Sequence, residues 1–125
     1  MELIKIEEWK RKNYFYYYLN RNNPTISCTI NLDCTNIYNI SKREKVPFIV
    51  TFMHALLSFI NHFEQFRIRH ISDEYIARYD RIDIAYIELN GNHNFINMIT
   101  KYKESLKDFY EIFKENRKKR ESILN

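Results

Sequence analysis

Residues 48–63 constrain this chain more than any other stretch. Phe48, Ile49, Phe52, Met53, Ala55, Leu56, Leu57, Phe59, Ile60 and Phe63 leave little polar surface. Pro47 stands where a first helical turn tolerates a missing N–H. A helix apolar nearly all round is expected to be buried, so other elements must cover it. The apolar run 48–60 is interrupted by Thr51, His54 and Ser58. It falls short of the roughly 20 apolar residues that a bilayer span needs, and no membrane association is expected. Residues 1–10 include acidic side chains and no apolar run, so they do not read as a signal peptide. A cytoplasmic protein is the expectation.

The elements around that helix follow from period and punctuation. Residues 6–21 read as a first helix carrying five consecutive aromatics, Tyr14 to Tyr18. Five in a row must cover most of a helix circumference, so this turn is expected to be wrapped by protein or to line a cavity. Asn20-Arg21-Asn22-Asn23-Pro24 ends it, because the residue before proline is pushed to extended geometry. Residues 25–34 then alternate strictly: Ile26, Cys28, Ile30, Leu32 and Cys34 against Thr25, Ser27, Thr29, Asn31 and Asp33. That is the clearest strand pattern in the chain, with one dry face and one polar face. The polar face would meet solvent or another subunit.

Thr35 is expected to cap a short helix over 36–42. Residues 66–71 and 75–79 read as a hairpin around Ser72-Asp73-Glu74, and 82–89 as a further strand. Asn90-Gly91-Asn92-His93-Asn94 is the strongest turn cluster and contains the sole glycine. Phe95, Ile99, Tyr102, Leu106, Phe109, Tyr110 and Phe113 recur at three and four, which predicts an amphipathic helix from Phe95 onward. The expected fold class is α+β, a mixed, largely antiparallel sheet packed with helices, in one domain. With 125 residues and 45% hydrophobic composition, the chain has enough apolar material for a core and is not expected to be disordered.

Chemistry is sparse in the pattern. One glycine excludes a glycine-rich phosphate loop. Cys28 and Cys34 would lie about 20 Å apart on one strand, too far for a disulfide, and read as reduced and buried. Neither they nor His54, His62, His70 and His93 show metal-ligand spacing, and each histidine reads as structural. Glu7 and Glu8 are neighbours that do not face each other on a helix. Asp73, Glu74, Asp80 and Asp83 read as surface carboxylates. Twenty basic against 16 acidic residues give a net +4. Lys114, Arg117, Lys118, Lys119 and Arg120 read as the solvated, dipole-complementing end of a helix, with a small nucleic-acid-binding module as the alternative.

The ordered series of motifs resembles the chloramphenicol acetyltransferase family. It begins with Trp9-Lys-Arg-Lys-Asn-Tyr-Phe-Tyr-Tyr-Tyr and the strand-like residues 26–33, then Val46-Pro47-Phe48 leading the apolar helix. Asn61-His-Phe-Glu-Gln-Phe-Arg67, Tyr75-Ile-Ala-Arg-Tyr-Asp80 and Phe95 after the Asn-rich turn continue it. No single motif is diagnostic; the collinear order over about residues 3–120 is. The resemblance implies a CoA-dependent acyltransferase fold, trimers with active sites between subunits, and acetyl transfer from acetyl-CoA to an antibiotic hydroxyl. It implies a general-base histidine in a His-His-x-x-x-Asp-Gly motif and a serine supporting the oxyanion.

Neither motif occurs in these 125 residues, which hold no His-His pair. The resemblance is therefore to the family's N-terminal part. The chain is expected to be an incomplete domain (1–125), truncated before the catalytic histidine and inactive alone, with no catalytic residue and no metal site. Acetyl-CoA binding by this part alone is not expected, since most of the CoA tunnel belongs to the other half. For the acceptor pocket the resemblance implies Tyr18, Asn22, Pro24, Ile26 and Phe95. Asn22 is a polar departure from the family's apolar preference. Arg11 falls on an arginine whose acidic partner belongs to the missing motif, and is expected to be free. The partners implied are an antibiotic-like hydroxyl acceptor and either further copies or a C-terminal half. Association with intact subunits through the polar strand face is a further alternative. Nucleic acid is the least favoured partner.

Overall fold

The structure is a computed structural model that describes residues 1–89 and 94–124, with side chains through residue 120. Two small sheets and four helices form it. The first sheet joins β1 (Glu2–Lys5), β2 (Ile68–His70) and β3 (Tyr75–Arg78) in the order β1-β3-β2, all antiparallel. The second is an antiparallel pair, β4 (Ile84–Leu89) and β5 (Phe95–Thr100). The helices are α1 (Lys12–Leu19), α2 (Thr35–Glu44), α3 (Phe48–His62) and α4 (Leu106–Leu124). The α+β class with antiparallel sheets is as expected.

The main core lies where α3 and α4 meet the inner face of β4–β5. Val46, Val50, Met53, Leu57, Phe109 and Phe113 are buried there, with Ile84, Tyr86, Tyr102 and Leu106 packed around them. Tyr86 stacks on Phe113 at 5.8 Å and shares a 3.1 Å hydrogen bond with Thr100. His54 is structural: Nε2 lies 2.9 Å from the Lys103 carbonyl, which can only accept, so this nitrogen carries the proton. A second small core, Ile6, Ile76 and Ala77, sits at the first sheet.

Several expectations are corrected. The first helix does not run over 6–21. Residues 2–5 form β1, 6–8 a short 3₁₀ turn, and the α-helix begins at Lys12. Residues 25–34 form no strand: no ladder reaches them, and every residue from 21 to 33 is exposed. Alternation supplies a two-faced ribbon, but a ribbon becomes a strand only when a neighbour takes its backbone groups. Cys28 is consequently exposed and Cys34 half-buried rather than both buried; both thiols are free.

Thr35 is the first residue of α2 rather than its cap. The Asp33 carboxylate accepts from the Thr35 N–H at 2.9 Å and its hydroxyl at 2.6 Å. These bonds lower the Asp33 pKa from its ordinary value, the hydroxyl bond contributing most. At the other end, Lys45 takes a left-handed φ of 56° and Ser41 Oγ donates to the Val46 carbonyl at 2.8 Å.

Helix α3 is not buried all round. Val50, Thr51, Met53 and Leu57 are buried, while Phe48, Ile49, Leu56 and Phe59 remain exposed. The helix predicted from Phe95 begins at Leu106, and Phe95–Thr100 is β5. The basic C-terminal run is not simply solvated. Arg120 and Arg117 both bind Glu88 across to β4, at 2.6 and 2.9 Å, and the Arg120 and Glu88 side chains are each only 14% exposed. Residues 90–93 of the expected turn cluster, including Gly91 and His93, lie outside the described residues.

Candidate functional site

A cavity opens between α1, the extended segment after it, and the first sheet. Its volume is about 680 Å³, within the range that holds a drug-sized molecule. The sheet supplies the floor. Ile68 and His70 are two apart on β2, and His70 pairs with Ile76, so the three side chains share one face. Helix α1 supplies a wall with Tyr14, Phe15 and Tyr18, and Pro24, Thr25 and Ile26 close a further side. Trp9, Arg11 and Gln65 complete the rim. Three of the five consecutive aromatics thus line a cavity, one of the two outcomes expected from their crowding, and no residue of α1 is fully buried.

The backbone explains how the segment reaches this wall. Asn20 Nδ2 donates to the Tyr16 carbonyl at the end of α1. Asn23 takes a left-handed φ of 51°, a conformation asparagine tolerates, and turns the chain into Pro24. Phe15 meets Trp9 and His70 edge-on, with centroids at 6.2 and 5.2 Å. Outside the wall, the Tyr16 hydroxyl donates to Glu7 at 2.7 Å. That bond and Lys12 hold the Glu7 carboxyl below its ordinary pKa, and Glu7 raises that of Tyr16.

Three of the five expected pocket residues meet here: Tyr18, Pro24 and Ile26. Two do not. Asn22 lies in the exposed bend before Asn23 and is not part of the lining. Phe95 stands 77% exposed at the start of β5, on the other sheet. Arg11 also lines the cavity.

Asn61 and Arg67, both in the motif series, take framework roles in the structure. Asn61 accepts from the Ile82 N–H at 2.7 Å and donates to its carbonyl at 3.0 Å, tying α3 to the approach of β4. Arg67 donates to the Tyr79 carbonyl at 2.6 Å, clamping the hairpin that carries the cavity floor. No group of side chains suited to a metal ion occurs among the described residues. No described helix is long and apolar enough to cross a membrane.

The α+β scaffold thus presents an open cleft lined by aromatic and aliphatic side chains with a few polar groups at its rim. Comparison with known proteins makes this particular. The family model for chloramphenicol acetyltransferase matches residues 1–125. A chloramphenicol acetyltransferase of Clostridium perfringens is 27% identical over 124 residues, covering 98% of this chain and 57% of that protein. One from Staphylococcus aureus is 30% identical over 111 residues, covering 88% of this chain and 51% of its own length. A solved chloramphenicol acetyltransferase structure superposes with a TM-score of 0.80 at 27% identity, over 90% of this chain and 53% of that one. The chain belongs to the chloramphenicol acetyltransferase family. It spans about half the length of the relatives it matches, corresponding to their N-terminal portion.

Proposed function

We propose that these residues form the acceptor-binding part of an O-acetyltransferase that moves acetyl from acetyl-CoA to the hydroxyl of a chloramphenicol-like antibiotic in the cytoplasm, thereby conferring resistance. The observation that carries the reading is the convergence of Tyr18, Pro24 and Ile26 on one aromatic cavity, in a chain matched end to end by the family model. The cleft offers stacking surfaces and scattered polar groups, which suits a neutral aromatic alcohol.

Acetyl transfer also needs a base for the hydroxyl proton and donors for the oxyanion. No His-His-x-x-x-Asp-Gly occurs in residues 1–125, so by themselves they bind without turnover. Loss of the base alone costs on the order of 10²–10⁴ in rate. A purified 125-residue protein, given acetyl-CoA and chloramphenicol, is expected to release no thiol above background; robust release overturns the inactivity.

The exposed apolar surfaces support association, with further copies in a trimer or with the complementary half of such a domain. Ile87, Leu89, Phe95 and Ile99 form an open apolar face on β4–β5, and Ile26, Ile30 and Leu32 project from the unladdered segment. Contiguous apolar area of this kind marks an interaction surface.

A further inference from the structure

We propose that His70 is the side chain of this cavity that accepts a hydrogen bond from the hydroxyl of a bound aromatic alcohol. The inference rests on reading the cavity as an acceptor site and names the atom that recognises the alcohol.

The tautomer follows from geometry. His70 Nε2 lies 2.8 Å from the Ser72 carbonyl oxygen. A carbonyl only accepts, so Nε2 carries the hydrogen, and in the neutral ring Nδ1 is left with a bare lone pair. The ring makes no other hydrogen bond among the described residues.

The ring is also held in place. Its backbone is fixed in β2 by pairing with Ile76, and Phe15 packs edge-on at 5.2 Å with planes at 67°. A ligand group that meets it loses little freedom in ordering it. Among the other lining groups, Arg11 is a donor with no acceptor atom, the Gln65 amide presents an acceptor oxygen and a donor nitrogen that exchange places by rotation, and the hydroxyls of Tyr14, Tyr18 and Thr25 reorient freely between donating and accepting. A ring nitrogen tied at its far side presents one fixed acceptor, which selects for a donor such as O–H.

The test uses Trp9, the sole tryptophan of the sequence and a cavity-lining residue, as a fluorescent reporter. Chloramphenicol and its di-O-acetyl derivative, which lacks free hydroxyls, are titrated into the wild-type chain, H70F and H70N. H70F keeps a ring against Phe15 and removes the acceptor; H70N restores an acceptor oxygen near the Nδ1 position. The expected result is that H70F binds chloramphenicol about tenfold more weakly than wild type, the scale of one lost neutral hydrogen bond. H70N recovers most of that loss, and all three proteins bind the diacetate alike. Equal binding of chloramphenicol by wild type and H70F, equal weakening toward both ligands, or no recovery in H70N overturns the role of His70 while leaving the acceptor-cavity reading intact. No quenching of wild-type Trp9 by either ligand overturns that reading and the inference together.

Discussion

Residues 84–100 and residues 25–33 have the same kind of pattern and opposite fates. In β4–β5, one face is covered: Ile84 and Tyr86 join the core, Met98 and Thr100 are buried, and Glu88 is held by two arginines. The opposite face, Ile87, Leu89, Phe95 and Ile99, is open. Residues 25–33 are exposed throughout, only Thr25 and Ile26 bordering the cavity, and no described ladder reaches either edge. Ile26 is 91% exposed, although isoleucine is among the residues most often buried. The difference is one of neighbours. One buried face suffices to hold a two-stranded ribbon, whereas alternation without a covering layer or edge partner contributes almost nothing to stability.

The largest consequence lies on the covered side. Phe109 is fully buried and touches the His54 ring, with centroids at 5.4 Å. Phe109→Ala should destabilise the chain by roughly 3–5 kcal/mol, the usual cost of emptying an aromatic core site. Urea unfolding followed by circular dichroism measures it. A loss under about 1 kcal/mol would mean that the α3–α4 seam is as loosely held as residues 25–33.

Glu88 offers the next test of the same contrast. Its carboxylate joins β4 to α4 through Arg117 and Arg120, and the Arg120 Nε is buried with no partner of its own. Glu88→Gln leaves the Arg120 charge enclosed and uncompensated. Breaking a fully buried pair costs about 3–5 kcal/mol; half-exposed Arg117 retains access to water, so roughly 2 kcal/mol is expected here. Thermal unfolding of E88Q beside R117Q separates the two arginines, and R117Q should cost under about 1 kcal/mol. The engagement of these arginines also removes charge from the surface that a nucleic-acid-binding reading of the C-terminal run would require.

How much was legible follows the same division. The long apolar helix, the hairpin of residues 66–79 and the α+β class were readable because local pattern and tertiary neighbours agree there. Residues 95–100 were misread as helix because Phe95, Ile99 and Tyr102 happen to fit helical spacing. Ile96, Met98 and Thr100 fit strand spacing equally, and only the position of the inner face decides between them. Tyr18, Pro24 and Ile26 were placed together by resemblance, residue by residue, and a cavity unites them. The same transfer named Asn22 and Phe95, which the structure does not bring to this cavity. A left-handed Asn23 intervenes for one, and a different sheet carries the other. His70 gave no sequence signal, since its tautomer depends on a carbonyl that only the turn at Ser72 brings within reach.

The smallest expected effect belongs to the uncovered ribbon and is the sharpest check on the contrast. Ile30 is 74% exposed and has no ladder partner, so Ile30→Thr removes no packing. Its stability change should stay within about 0.5 kcal/mol, the range of ordinary surface substitutions. The same segment should show unprotected amide hydrogen exchange while β4–β5 is protected, because exchange follows hydrogen-bonded and buried backbone. Both measurements respond to concentration if an edge partner arrives. Protection of residues 25–33 that rises with protein concentration, together with a cost of Ile30→Thr above 1 kcal/mol under those conditions, would show the ribbon becoming a strand by pairing between copies. Protection at every dilution would instead break the contrast, since a ladder within one chain would then be required.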